Sequence, residues 1–302
     1  MKIVMMGSGG VGGYYGARLL QAGHDVSFVA RGAHADAMRR NGLRIRSELG
    51  DAHVEPARVV EDPGEAGPAD AVIVAVKLWD SEAAAKAIAP IVKGIVVSLQ
   101  NGVDKDEVLA KAVGREHVIG GVTHIGAVIA MPGVIAHTGK LQKVTLGELA
   151  GGSSPRVQQL VDALKAGGVE AMQSDDIRRV TWEKFVFLTA LSGVTSLTRK
   201  PVGPIREHPA TRALLHDALR ETAAVARAEG IAIDPALPDQ QMKMIDGLSP
   251  AMYSSMSQDL LRSRPLELEW LSGAVVRRGE ARQVATPVHR AIYAGLVLHA
   301  KG

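Results

Sequence analysis

The sequence predicts an α/β protein in two parts, a parallel sheet wrapped by helices over residues 1–175 and an all-helical body over residues 176–302. Three observations carry this expectation. The run KIVMMGSGGVGG sets G-x-G-x-x-G, at Gly7, Gly9 and Gly12, between a short apolar strand (Ile3 to Met6) and a segment of helical spacing. Two more continuous apolar runs, Ala71 to Val76 and Ile95 to Leu99, have the composition of strands buried on both faces of a sheet. Beyond Asp175 strand-like alternation stops and apolar residues recur at helical spacing.

Taken in order, the glycine turn comes first. Gly7 turns the chain off the strand, Gly9 lets the main chain approach a pyrophosphate, and Gly12 lets the next helix pack closely on the sheet. An anion then sits at the positive helix N-terminus. A turn without a ligand is the alternative. The strand before it, the helix start after it and a second strand following AGHD favour a dinucleotide-binding, Rossmann-type domain, with Gly7, Ser8, Gly9, Gly10, Val11 and Gly12 as the cofactor loop. The helix over Val11 to Ala22 is stopped by Gly23, and the second strand, DVSFVA, ends at Arg31. An acidic residue at this point accepts the ribose 2′-hydroxyl of NAD, whereas a basic one suits the 2′-phosphate of NADP. No carboxylate follows until Asp36, so Arg31 reads as a 2′-phosphate contact, or else as a solvated loop arginine.

GLRIRS and HVEPARVV read as short strands joined near Gly50 and Asp51. The two buried-type strands that follow end at Lys77 and at Gln100-Asn101-Gly102. Ligands of open parallel sheets lie beyond the carboxyl ends of the strands, which makes Lys77 and Asn101 candidates for contact with cofactor and substrate; a loop lysine and a plain turn are the competing readings. His117 to Glu148 predicts strands with a hairpin at Pro132-Gly133, in which His124 and His137 are ordinary strand residues rather than metal ligands. Arg156 to Ala166 predicts a helix and VEAMQS a last strand. The helical body is expected to comprise Ile177 to Leu197, Pro209 to Glu229, Pro250 to Arg262, Leu266 to Arg282 and Pro287 to His299, with DPALPD (Asp234 to Asp239) as a proline-rich loop and the boundary near Asp175-Asp176.

Composition narrows the function classes. A formal charge of +3 over 302 residues, with 3% aromatic content and no Lys/Arg cluster with interleaved aromatics, argues against nucleic acid. Without cysteine there is no disulfide, thiolate nucleophile or zinc-thiolate site, and no metal site is expected. No run approaches a membrane span of about 20 apolar residues, so a cytoplasmic protein without membrane contact is expected. Oligomeric state is left open, with a homodimer among the states to test.

With these residues in view, the sequence resembles the ketopantoate reductase (2-dehydropantoate 2-reductase) family over nearly its whole length. The carriers are GSGGVGG, Arg31, VKLWD around Lys77, QNGVD around Asn101, the WEK of Trp182 to Lys184, and SSMSQDLLRSRPLELEWLSG from Ser254 to Gly273. The last block is the most specific, because a serine, a glutamine-aspartate pair and the glutamate twelve residues after Ser255 recur together in that family. The resemblance implies NADPH as cofactor and reduction of ketopantoate to pantoate, in pantothenate biosynthesis. It also implies roles: the glycine loop for pyrophosphate, Arg31 for the 2′-phosphate, and Lys77 and Asn101 for cofactor and substrate near the nicotinamide. Lys184 would be the catalytic lysine, Ser255 a substrate carboxylate contact, and Glu267 the carboxylate that holds substrate and lysine. The chain departs from the pattern at Leu188 and Ser192, where the family often has asparagine.

The chemistry suits these residue types. Hydride delivered to a ketone carbon leaves an alkoxide, and an ammonium group both stabilises it and protonates it. On spacing alone Lys184 is equally a helix-surface lysine beside Glu183, and Glu267 a solvated carboxylate; the joint resemblance lifts both. Residues 184, 188 and 192 share one helix stripe, so Leu188 predicts tolerance of 2-oxo acids with apolar tails. Two other classes are weighed: a non-catalytic NADPH-binding sensor, and a dehydrogenase of the 3-hydroxy acid type, whose lysine-asparagine helix motif this chain lacks.

Overall fold

The computed structural model describes all 302 residues, Met1 to Gly302. The first strands follow from the sequence directly. β1 (Lys2–Met6) leads through the glycine turn into α1 (Gly10–Gln21), and β2 (Asp25–Val29) follows. α1 ends in a Schellman arrangement: Gly23, at φ +85°, donates to the Leu20 carbonyl and His24 donates to that of Leu19. α2 (Gly32–Asn41) follows with Arg31 as its N-cap, where the sequence carries no strong helix signal. β3 (Leu43–Arg46) and β4 (Ala52–Val54) form an antiparallel pair, and β5 (Arg58–Val60) runs parallel to β2. The expected strand HVEPARVV is therefore two strands, broken at Pro56, that pair with different partners.

β6 (Ala69–Val74), α3 (Ser81–Ile88), β7 (Val92–Ser98) and α4 (Lys105–Val113) continue the alternation. The long hairpin β8 (Val118–Met131) and β9 (Val134–Glu148) turns at Pro132-Gly133, as expected, and α5 (Pro155–Ala166) and β10 (Glu170–Gln173) complete this part. The sheet has ten strands in the order β4-β3-β9-β8-β7-β6-β1-β2-β5, with β10 beside β9. His137 is buried within β9, where Nδ1 meets Ser47 Oγ (2.8 Å) and Nε2 meets the Leu141 carbonyl (3.0 Å), a structural residue of a strand.

Alternate residues of the central strands feed two cores, which is why their sequences are apolar without interruption. Ile3 and Met5 of β1, Ala71 and Ile73 of β6, and Ile95 and Val97 of β7 pack with Tyr14, Tyr15 and Leu19 of α1 and Val157, Leu160 and Leu164 of α5. Val4 and Met6, Val72 and Val74, and Val96 pack with Ala84, Ala85 and Ile88 of α3 and Leu109 of α4. The central parallel strands of this mixed sheet are thus covered on both faces. Each such buried aliphatic side chain contributes roughly 1.5–3 kcal/mol.

The remaining elements are helical: α6 (Ile177–Thr198), α7 (Val202–Glu207), α8 (Pro209–Ala228), α9 (Leu237–Asp246), α10 (Ser255–Leu261), α11 (Ser272–Ala281) and α12 (Pro287–Leu296). Three expectations are corrected. The helix expected from Pro250 begins only at Ser255, because Ser254 is extended (φ −69°, ψ 160°) and caps it by accepting from the Ser257 amide. The helix expected over Leu266 to Arg282 is a 3-10 turn (Glu267–Trp270) and then α11, separated at Leu271 by non-helical φ −104° and ψ −98°. DPALPD is not wholly loop, since α9 starts inside it at Leu237. The chain divides into two compact units, residues 1–101 with 105–178, and residues 102–104 with 179–302. No helix is long and apolar enough to cross a membrane.

Candidate active site

The carboxyl ends of four adjacent parallel strands bring the first group of residues to one edge. Met6 is in register with Val29 and with Val74, and Val74 with Ser98, so the chain leaves β1, β2, β6 and β7 on one line. Gly7, Arg31, Lys77 and Asn101 lie one to three residues beyond those positions. From β1 the chain runs one way to β2 and β5, and from β6 the other way to β7 and β8, so the switch point falls between β1 and β6. Open α/β sheets bind ligands at such a point.

Within the loop the glycines have different causes. Gly7 has φ +96°, and a Cβ there would lie 2.7 Å from Val76 Cγ1. A Cβ on Gly10 would lie 2.0 Å from the Ala127 carbonyl oxygen, and one on Gly12 2.0 Å from that of Gly7. Those three are required by the protein's own packing. Gly9 is not: a Cβ there meets nothing within 4 Å, and its φ of −70° is open to any residue. Gly9 is also the N-cap of α1, supplies no capping side chain, and is followed by a first turn without an acidic residue. The positive end of a 12-residue helix is left with room for an anion against its main chain.

Two polar side chains fix the loop. Ser8 is buried and its hydroxyl donates to the Val29 carbonyl at the end of β2 (3.1 Å). His34 of α2 accepts at Nδ1 from the Gly133 amide (3.1 Å), which leaves its proton on Nε2, 2.9 Å from the Ser8 carbonyl. Burial holds the His34 pKa below that of a free histidine, which favours this neutral form. Sequence reasoning missed His34, because its partners lie 26 and 99 residues away. Arg31 is exposed at the N-cap of α2. Lys77 is exposed, with its ammonium 5.6 Å from the centre of the Trp79 ring. Asn101 is half-buried and precedes Gly102, at φ +84°.

The second group lies on the helical unit. Lys184 and Leu188 are half-buried on α6, and Leu188 packs against the helical core. Ser192, the third member of the stripe, is fully buried and its hydroxyl has no hydrogen-bond partner, so it lies inside the core. Beside Lys184, the Glu183 carbonyl accepts from Gln241 of α9 (2.7 Å), and Trp182 meets Phe185 edge-on with ring centres 5.5 Å apart. The Arg278 guanidinium lies 5.8 Å from the Trp182 ring centre and also donates from Nε to Asp104 (2.9 Å). Ser255 is the exposed first residue of α10. That helix is held to α6 by Ser254 Oγ to Thr195 Oγ1 (2.8 Å) and by Ser257 Oγ, which donates to the Thr195 carbonyl (3.2 Å). Glu267 is only 8% exposed at the start of its 3-10 turn.

Comparison with known proteins gives the family. The model described as ketopantoate reductase PanE/ApbA matches residues 3–151, and the one for the C terminal part of the same family matches residues 176–300. The chain belongs to this family. An uncharacterized oxidoreductase of Bacillus subtilis is 31% identical over 301 residues, covering 99% of both chains. A 2-dehydropantoate 2-reductase of Halobacterium salinarum is 32% identical, covering 97% of this chain and 96% of its own. The crystal structure of 2-dehydropantoate 2-reductase from Geobacter metallireducens superposes with a TM-score of 0.92 at 30% identity, covering 99% of each chain. The chain is thus a ketopantoate reductase family oxidoreductase, with the family's sheet-containing N-terminal part and helical C-terminal part.

Proposed function

We propose that this chain is an NADPH-dependent reductase of 2-oxo acids, and that ketopantoate, reduced to pantoate, is the substrate to test first. The observation that carries the cofactor half is Gly9. The protein leaves room for a side chain there and has none, which is what a ligand lying against the main chain requires. Gly7 to Gly12 and the start of α1 would hold the pyrophosphate, and the Arg31 guanidinium the 2′-phosphate. Lys77 and Asn101 would meet the nicotinamide end and the substrate.

Bound there, reduced nicotinamide supplies a hydride to the substrate's carbonyl carbon. The chain's own groups manage the charge that develops as the carbonyl double bond opens onto oxygen. The Lys184 ammonium stabilises that oxygen and gives it a proton, which completes the hydroxyl. The Glu267 carboxylate, nearly buried, holds Lys184 and the substrate. The Ser255 hydroxyl donates to the substrate carboxylate. A second reading, a family paralogue acting on a different 2-oxo acid, is favoured by Leu188, an apolar residue one turn beyond Lys184.

Initial rates of NADPH and NADH oxidation with a panel of 2-oxo acids test both. Turnover of ketopantoate with NADPH is expected. Cofactor binding without turnover of any 2-oxo acid would indicate a non-catalytic nucleotide binder, and reduction of added NADP+ or NAD+ by 3-hydroxy acids alone, in the reverse assay, would move the chain to that class.

A further inference from the structure

Gln100 lies between the two strand ends that carry Lys77 and Asn101, and its side chain is only 7% exposed. Its Nε2 donates to the Val76 carbonyl (2.9 Å) and to Ser81 Oγ (2.8 Å). Its Oε1 accepts from Ser98 Oγ (2.9 Å), and its main-chain amide donates to the same hydroxyl (3.1 Å). Ser81 in turn donates to the Leu78 carbonyl (2.7 Å). Both amide hydrogens and the amide oxygen are used, and a flipped amide would set oxygen against the Val76 carbonyl. Ser98 is fixed from its other side, because its carbonyl accepts from the Lys105 ammonium (2.7 Å), which is 2% exposed and also donates to the Gly121 carbonyl near the start of β8. One buried side chain thus joins residue 76, the neighbour of Lys77, to residue 100, the neighbour of Asn101, across 24 residues of sequence.

We propose that Gln100 is a positioning residue, whose buried amide sets the spacing between Lys77 and Asn101 so that both meet the same ligand. It touches neither cofactor nor substrate in this account; it acts through Val76, through Ser81 and through its own main chain. The inference rests on the roles proposed above for Lys77 and Asn101, and it separates from them because the tie can be measured without turnover.

Gln100→Glu and Gln100→Met test it. The glutamate keeps the size and the acceptor for Ser98, but when ionised it has no hydrogen to give Val76 or Ser81. Protonated, it regains one donor. Facing a carbonyl in a buried site, it is protonated at higher pH than a free carboxyl. At about pH 8, Gln100→Glu is expected to lower kcat at least about tenfold, with NADPH affinity changed less than about threefold. The ratio of variant to unaltered kcat is expected to recover toward about pH 5, and that of Gln100→Met to stay low. Amide hydrogen exchange of residues 76–81 is expected to quicken in both variants, while that of β1 stays unchanged. Should the Gln100 variants fail to fold, Ser81→Ala, which removes one partner only, is expected to show the same exchange change and a smaller loss of kcat. Unchanged exchange in 76–81 overturns the tie, and unchanged kcat at every pH overturns the positioning role. An unaltered protein that turns over no 2-oxo acid refutes the proposed function instead, and the exchange result then decides the tie alone.

Discussion

Arg31 offers a planar fork of donors where an NAD-type site would offer a carboxylate, and it stands exposed at the N-cap of α2, beyond the end of β2. Arg31→Asp should weaken NADPH binding at least about tenfold and spare NADH, as read by fluorescence titration of each cofactor. Equal affinity of the unaltered protein for the two cofactors would remove the basis of that expectation. Lys184 carries the other residue-scale prediction. Lys184→Ala should lower kcat by roughly 100-fold or more while NADPH still binds, as for the loss of a positioned general acid; near-normal turnover would make the lysine structural. Both residues are singled out by the sequence, because a strand end or a motif marks them, and these variants test their roles. His34 and Gln100 are not, since nothing in the spacing shows that a histidine will meet Ser8 and Gly133, or that a glutamine beside Asn101 will bind back to Val76.

Helices and strands differ in how far the sequence announces them. The central strands are legible because residues on both of their faces are buried, which leaves an unbroken apolar run. α2 is not, because it buries only Ala35, Ala37 and Met38 and so lacks an apolar stripe. Helix ends are set by backbone and capping rather than by periodicity, as Ser254 and Leu271 show. The α6 stripe is a mixed case. Its spacing suggests that Lys184, Leu188 and Ser192 share one wall, yet Ser192 is inside the core and only Leu188 remains beside the lysine on the half-buried part of the helix. Leu188 cannot hydrogen-bond a substrate hydroxyl, and leaving one unsatisfied costs about 1 to 3 kcal/mol, or roughly 5- to 150-fold in specificity. The ratio of kcat/KM for ketopantoate to that for 2-oxo-3,3-dimethylbutanoate, which lacks the hydroxyl, should therefore be near or below unity, and should rise in Leu188→Asn. A strong preference of the unaltered protein for ketopantoate would show that other groups hold the hydroxyl.

At the scale of the whole molecule, each unit has its own core, and buried ionisable groups in those cores make stability depend on pH. His289, fully buried, donates from Nε2 to the Ala218 carbonyl (3.0 Å), and the same nitrogen lies 2.8 Å from Thr222 Oγ1. Burial pushes its pKa down to about 4. Above the ordinary histidine value the ring is neutral whether the chain is folded or not, and it adds no pH dependence. As pH falls below about 6.5 the unfolded chain takes up a proton that the folded one refuses until about 4, and stability drops by about 3 kcal/mol over that window. Urea unfolding at several pH values should show this loss in the unaltered protein and a slope flatter by about one proton in His289→Gln. Parallel slopes would mean that His289 is protonated in the folded state. The change from sheet to helix along the chain was legible from the change of periodicity, whereas the grouping of residues 102–104 with the helical unit was not: Asp104 meets Arg278, 174 residues later.

The claim on which the rest depends is that the glycine turn is shaped for a phosphate and not only for its own packing. Gly9→Ala measures this most directly, because the new methyl meets no protein atom within 4 Å. Its melting temperature should fall by no more than about 3 °C, the cost of a poorer N-cap, while NADPH binding by isothermal titration weakens at least about tenfold. An alanine variant that binds NADPH as tightly as the unaltered protein would contradict the account.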